Sequence, residues 1–126
     1  MNQDEVIDTV FSAVEEAGIS RDEVVFVYLF GSFGTDEYVE DISDIDICIS
    51  FDNENPVETG IKVDGRLPKR FDLSVFQDLP LYIRKNVLDG ELLYSRSKDE
   101  VYDTAFKTLR EFESFEPVYR EAIGAS

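Results

Sequence analysis

The chain has 126 residues, and its 43% hydrophobic content is enough to bury the core of one domain, which we expect to span residues 1–126. Its 28 acidic and 12 basic residues give a net charge of −16, which argues against direct nucleic-acid binding, because affinity for phosphate backbones comes from lysine and arginine. No apolar run could cross a bilayer and no signal-peptide pattern begins the chain, so we expect a cytoplasmic protein. The sequence has no histidine, which excludes histidine-based catalysis.

A helix and a buried strand are the first predicted elements. Apolar residues recur at helical spacing over residues 4–17, and Gly18 is a suitable position for the helix to end. Val24–Phe30 is too short for a typical helix and is rich in β-branched and aromatic residues. Because its apolar residues run on without alternation, it predicts a strand that is buried on both faces.

A Gly-Ser pair interrupts this apolar run. Gly31 permits a sharp exit from the strand, and Ser32 is a good N-cap, so a helix is predicted to begin there. A helix that begins directly after a buried strand can bind an anion such as phosphate, since its free N–H groups and its dipole both favour negative charge. The alternative is that the pair only makes a turn.

Residues 44–51 alternate with the period of a β-strand. Asp44 and Asp46 fall on one face, with Cα atoms about 6.6 Å apart, close enough for both carboxylates to reach a hard cation such as Mg²⁺. The alternative is a solvated face or a charged, protected edge. The opposite face is apolar and comprises Ile45, Ile47, Ile49 and Phe51.

A third carboxylate lies on a later alternating segment, residues 71–76. Asp72 shares its face with Ser74 and Phe76. If this strand pairs beside residues 44–51, Asp72 completes a cluster of three carboxylates. Otherwise Asp72 is an ordinary solvent-facing residue.

The most basic part of the chain immediately precedes Asp72. Of its four cations, Lys69 and Arg70 are the predicted contacts to phosphate, and the alternative is that these cations only balance surface charge. The other two are Lys62 and Arg66.

The remaining segments complete an alternating pattern of helices and strands. Residues 57–63 contain Gly60 and are predicted as a loop or a weak edge hairpin. A helix is predicted near residues 79–87, a strand at Glu91–Ser95 and a helix over most of residues 98–123, with a break or kink at Pro117. The apolar residues at its end either pack on the core or form a partner-binding surface; they are Phe112, Phe115, Val118, Tyr119 and Ile123.

The order of these motifs resembles that of a known enzyme superfamily. Gly31-Ser32, then Asp44-x-Asp46, then Asp72 on a later strand is similar to the nucleotidyltransferase fold of the DNA polymerase beta superfamily. The small size resembles the minimal nucleotidyltransferases, which are commonly the antitoxin partners of HEPN-domain toxins. The resemblance implies an α/β fold in which a small mixed β-sheet is flanked by α-helices.

The resemblance also implies an activity and a set of ligands. The chain would transfer a nucleoside monophosphate, AMP from ATP, to a hydroxyl, namely a tyrosine of a HEPN-type toxin. Two Mg²⁺ ions would be held by Asp44, Asp46 and Asp72, and the triphosphate by Gly31 and Ser32.

Two departures from the family pattern leave other functions open. Eleven residues, 33–43, separate Ser32 from Asp44, one more than is usual in the minimal family, and none of them is basic. One alternative is therefore an antitoxin that neutralises its toxin by binding alone. Another is a nucleotidyltransferase that acts on a small cationic molecule.

Overall fold

The computed structural model describes residues 2–30 and 44–122, with side chains to residue 114. In this described part, no helix combines the length and the apolar character that a membrane span needs. These residues form four strands and four α-helices, with short 3-10 turns at Arg21–Glu23 and Phe76–Asp78. In chain order they are α1 (Gln3–Glu16), β1 (Val24–Phe30), β2 (Ile45–Phe51), α2 (Pro56–Asp64), β3 (Phe71–Val75), α3 (Leu81–Leu88), β4 (Glu91–Ser95) and α4 (Lys98–Ala122).

Helix α1 has clear signals at both ends. The Asn2 side chain accepts a hydrogen bond from the Glu5 N–H at 2.9 Å, and the Glu5 carboxylate accepts one from the Asn2 N–H at 3.3 Å, which makes a capping box. After the helix, Gly18 adopts a φ of +77°, a left-handed conformation that glycine takes at little cost. The predicted helix over residues 4–17 is therefore confirmed.

The four strands form one mixed sheet in the order β3-β2-β1-β4. Strand β1 pairs antiparallel with both β2 and β4, whereas β2 and β3 are parallel. A parallel pair needs a crossover connection, and α2 supplies it between β2 and β3. The predicted small mixed sheet flanked by helices is confirmed.

The two faces of the sheet bury different sets of side chains. All of β1 except Phe30 is fully buried, as expected for a strand covered on both sides. The isoleucines of β2 pack with α1 and α2, while Cys48 packs on the other face with Val87 of α3 and Val101 of α4. The alternation predicted for residues 44–51 is therefore correct, and the aspartates share the face of Cys48.

The prediction of a loop or hairpin at residues 57–63 is wrong, because this segment lies within α2. Pro56 occupies the first turn, where proline fits a helix, and was the sequence signal for it. Gly60, which suggested a loop, instead permits close packing. A Cβ at Gly60 would lie 2.2 Å from Cγ2 of Val75 in β3.

Helix α4 follows the predicted range but not the predicted break. Its backbone stays helical across Pro117, so the helix does not break there, and the kink that proline favours stays a prediction. Phe112 is half-buried, with the Lys85 ammonium 5.4 Å from its ring centroid. The rest of the predicted partner surface lies outside the described side chains, so that interpretation stays a prediction. Large exposed apolar residues do occur earlier in α4, at Tyr102, Phe106 and Leu109.

An arginine ties the end of the sheet to the first turn of α4. The guanidinium of Arg96 donates hydrogen bonds to the carboxylates of Asp52 and Glu100, at 2.7 Å and 2.6 Å. It also donates to the backbone carbonyl of Asp22. Segments distant in sequence are therefore joined at the sheet end opposite to Asp46, since Asp52 follows β2 directly.

Gly60→Ala is expected to lower the free energy of unfolding by about 1–3 kcal/mol, because the new methyl group would overlap a branched, stiff side chain and push α2 away from β3. Urea unfolding measures the loss. Gly65→Ala is the matched control: it lies at the C-cap of the same helix, at a φ of −64°, where a Cβ would meet its nearest atom at 3.6 Å. Equal effects of the two substitutions would contradict this account of α2 packing.

Candidate active site

The parallel pairing of β2 and β3 brings two predicted site residues together. Asp46 and Asp72 are direct partners across the two strands, and neighbouring strands lie about 4.8 Å apart. Residues 71–76 therefore pair beside residues 44–51, which was the condition for a carboxylate cluster. Phe71 and Val75 of β3 pack in the same cluster as α1 and α2, so Asp72 lies on the opposite face with Asp46, by strand alternation.

The three carboxylates differ in their surroundings. Asp44 and Asp72 are exposed, whereas Asp46 is half-buried. Burial raises the pKa of Asp46 above its ordinary value, and the negative charges of Asp72 and then Asp44 raise it further. The site thus concentrates negative charge around one partly desolvated carboxylate, an arrangement that a bound cation would stabilise.

The donor chemistry fits a hard divalent cation. Carboxylate oxygens are preferred ligands of Mg²⁺, which needs only one or two of them beside phosphate and water oxygens. In residues 2–30 and 44–114, no three acidic or cysteine side chains already converge on one point. Asp46 and Asp72 fit the role of ligands through their register, and Asp44 through its position two residues before Asp46.

Cys48 lies on the carboxylate face but is not a suitable nucleophile. Its side chain is fully buried, and burial raises the pKa of the thiol to about 12, against the opposing effect of the Arg84 charge. The thiol therefore stays protonated at neutral pH, and Cys48 acts as a small core residue.

Arg84 is a cation on this face that sequence reasoning missed. Its guanidinium donates a hydrogen bond to the backbone carbonyl of Gln77 and lies 5.5 Å from the ring centroid of Phe76. No motif in the sequence marks Arg84, because its place depends on how α3 packs across the sheet.

The predicted phosphate-binding residues have separate outcomes. Lys69 is exposed and Arg70 is half-buried in the turn before β3. The Arg70 carbonyl accepts a hydrogen bond from the Ile45 N–H at 2.7 Å, so this turn lies at the carboxylate end of the sheet. Gly31 and Ser32 lie outside the described residues. The roles of all these residues stay predictions.

Another residue of the basic segment has a structural role. The guanidinium of Arg66 donates hydrogen bonds to the carbonyls of Glu16 and Lys62, at 3.1 Å and 3.0 Å. It thus ties the ends of α1 and α2 together and is engaged away from the carboxylates.

Comparison with known proteins identifies the family. Residues 13–99 match the family model described as polymerase beta nucleotidyltransferase. The chain belongs to this family. The match confirms the resemblance inferred from the order of the Gly-Ser and aspartate motifs.

A curated relative and two solved structures are similar over most of this nucleotidyltransferase. MJ1547 of Methanocaldococcus jannaschii, which carries the provisional name of protein adenylyltransferase, is 28% identical over 99 residues, covering 79% of this chain and 78% of MJ1547. A toxin–antitoxin structure with AMP-PNP matches at a TM-score of 0.71 and 21% identity, covering 98% of this chain and 95% of that chain. A structure of tri-AMPylated Shewanella oneidensis HEPN toxin with its MNT antitoxin matches at 0.68 and 20%, covering 97% and 95%. At these identities, the two structures establish the fold.

Asp46→Asn is expected to raise the free energy of unfolding at neutral pH without divalent cations, by at most about 1 kcal/mol. Because the folded-state pKa of Asp46 is raised, ionisation opposes folding as pH rises above the ordinary value of 3.8. The gain from asparagine should therefore be absent at pH below 3.8 and complete above the folded-state pKa. Urea unfolding of wild type and Asp46→Asn, once in each of these two pH ranges and with a chelator present, measures the difference.

With Mg²⁺ present, wild type should have a higher free energy of unfolding than Asp46→Asn. A cation that binds only the folded protein stabilises it, and wild type keeps the carboxylate that would bind the ion. Asp8→Asn, at an exposed position of α1, changes net charge equally and serves as the control. If Asp46→Asn and Asp8→Asn raise the free energy of unfolding equally without divalent cations, the cause is a general reduction of negative charge and not the carboxylate cluster.

Proposed function

We propose that this nucleotidyltransferase is an antitoxin that transfers AMP from ATP to a tyrosine hydroxyl of a HEPN-type toxin. The observation that carries the proposal is the register of β2 and β3, which places Asp72 directly beside Asp46. The name of MJ1547 and the AMPylated toxin in the Shewanella oneidensis complex support the choice of a protein acceptor and of AMP. The AMP-PNP complex of another relative supports an ATP-like substrate.

The proposed reaction is a displacement at the α-phosphorus of ATP. The tyrosine oxygen forms the new bond to phosphorus, the bond to the leaving pyrophosphate breaks, and Asp72 accepts the hydroxyl proton. Asp44, Asp46 and Asp72 would hold two Mg²⁺ ions, which supply positive charge to the attacking and leaving oxygens. Gly31 and Ser32 would hold the triphosphate through backbone N–H groups, and Lys69 and Arg70 would contact its phosphates.

The charge of the chain fits a basic protein partner. With a net charge of −16, its field attracts positively charged proteins and accelerates their association. The free, buried thiol of Cys48 is compatible with the reducing cytoplasm in which we place this reaction.

A second candidate is an antitoxin that neutralises its toxin by contact alone. The segment between Ser32 and Asp44 favours it, because residues 33–43 contain four acidic residues and no lysine or arginine. Such a segment would repel a triphosphate unless cations compensate for its charge.

Intact mass spectrometry of a purified candidate HEPN toxin tests the proposal. After incubation with this protein, Mg²⁺ and each nucleoside triphosphate, we expect a mass gain of one or more AMP groups with ATP. Asp46→Ala should reduce the rate of modification by more than about a hundredfold, because it removes a central charge of the site. Asp8→Ala, on the exposed face of α1, should modify the toxin as wild type does.

A mass gain that is equal for wild type and Asp46→Ala would refute the catalytic assignment. A stable complex of the two proteins without any mass gain would favour the antitoxin that acts by binding alone.

A further inference from the structure

Strand β3 is an outer strand of the described sheet and pairs only with β2 there. The Arg70 carbonyl accepts a hydrogen bond from Ile45, so it points toward β2. Because backbone groups alternate in direction along a strand, the N–H and C=O of Leu73 point away from the sheet. An outer strand of the described sheet can add an extended segment of another protein by backbone hydrogen bonding.

An apolar groove runs beside this edge. It has a volume of about 270 Å³ and lies between α2, β3 and the turn after β3. Ile61 and Val57 of α2 line it while remaining 69% and 41% exposed, and Leu73 and Leu79 line its other side. Exposed apolar residues beside an outer strand favour aggregation, so their presence here indicates a partner.

The charge around the groove selects the kind of partner. Asp64 and Asp78 line it, and none of the described lining residues is basic. A segment that carries lysine or arginine beside its apolar residues would be complementary. A second copy of this chain would bring the same aspartates together, and like charges directly opposite each other across a strand pair are destabilising.

The edge is continuous with the carboxylate site. Asp72 belongs to the same strand, one residue before Leu73, and lies on the face of the sheet opposite to α2. In an added strand, successive side chains would point alternately to the α2 side and to the face of Asp46 and Asp72. A residue between two groove-binding residues would therefore point to the carboxylate face.

We propose that the edge of β3 binds an extended segment of the acceptor protein by strand addition. Its apolar residues occupy the groove lined by Val57 and Ile61, its basic residues face Asp64 and Asp78, and its tyrosine lies between groove-binding residues on the side of Asp72. The inference rests on the proposed function, since it names how the protein substrate of that site is held.

Binding of a defined peptide tests the edge independently of catalysis. The probe is a capped, fluorescent peptide with a central tyrosine, a valine on each side of it and lysines at both ends. Fluorescence anisotropy with the full chain, without nucleotide, measures affinity. Ile61→Glu should weaken binding at least about tenfold, because it places a charge in the groove. Leu92→Glu, on the other outer strand β4, is the control and should bind as wild type does.

N-methylated peptides test the backbone pairing without altering the protein. Methylation removes one N–H donor, and in a strand only alternate N–H groups face a given neighbour. Of two peptides methylated at adjacent residues, one should lose affinity at least about tenfold and the other should keep it. Equal affinities of these two peptides, or equal binding by wild type and Ile61→Glu, would overturn the proposal.

Three further outcomes distinguish the proposed edge from self-association and from the proposed activity. If sedimentation shows that wild type forms a dimer and that Ile61→Glu does not, and the peptide also fails to bind, the proposal is overturned in favour of a second copy of this chain at the edge. AMP transfer to the intact HEPN protein at the same rate by wild type and Ile61→Glu would overturn it while leaving the proposed function intact. Edge-dependent peptide binding without AMP transfer to either acceptor would support the edge and refute the proposed function.

Discussion

The register between β2 and β3 is the constraint on which the carboxylate arrangement depends. A slip of one residue would turn Asp72 toward α1 and α2 and expose Leu73 and Val75 on the other face. Val75 is buried and occupies the space that a Cβ at Gly60 would fill. This close packing opposes the slip, because a slip would remove Val75 from its place against Gly60. The position of an acidic side chain is thus determined by apolar packing on the opposite side of the sheet.

The apolar face of β2 stabilises a strand whose other face is electrostatically unfavourable. Ile45 and Ile47 are completely buried on either side of Asp46, a carboxylate whose neighbours oppose its ionisation. Strained or repulsive groups commonly persist at functional sites when surrounding packing is strong enough to hold them. Because one face of the sheet supplies the apolar packing, the other face can hold a group of like charges while the protein stays folded.

Much of this arrangement could be predicted because its signals are local. The period of two in residues 44–51 determined the face of Asp46, and the uninterrupted apolar run of β1 indicated burial on both sides. Helix α2 was missed although Pro56 marks its first turn, because the reason for Gly60 is its packing against Val75, which is distant in sequence. The place of Arg84 likewise depends on tertiary packing that no short pattern encodes. The Gly-Ser motif and the aspartates led to the family, while the α2 groove beside β3 became visible only in three dimensions.

The lone thiol of Cys48 makes the central part of β2 accessible to kinetic measurement. It is fully buried, so a thiol reagent can reach it only when the strand opens locally or the protein unfolds. The rate of modification under native conditions therefore reports how often β2 opens, two residues from Asp46. Comparing that rate in the presence and absence of a ligand gives the stabilisation that the ligand transmits to the strand, without any engineered label.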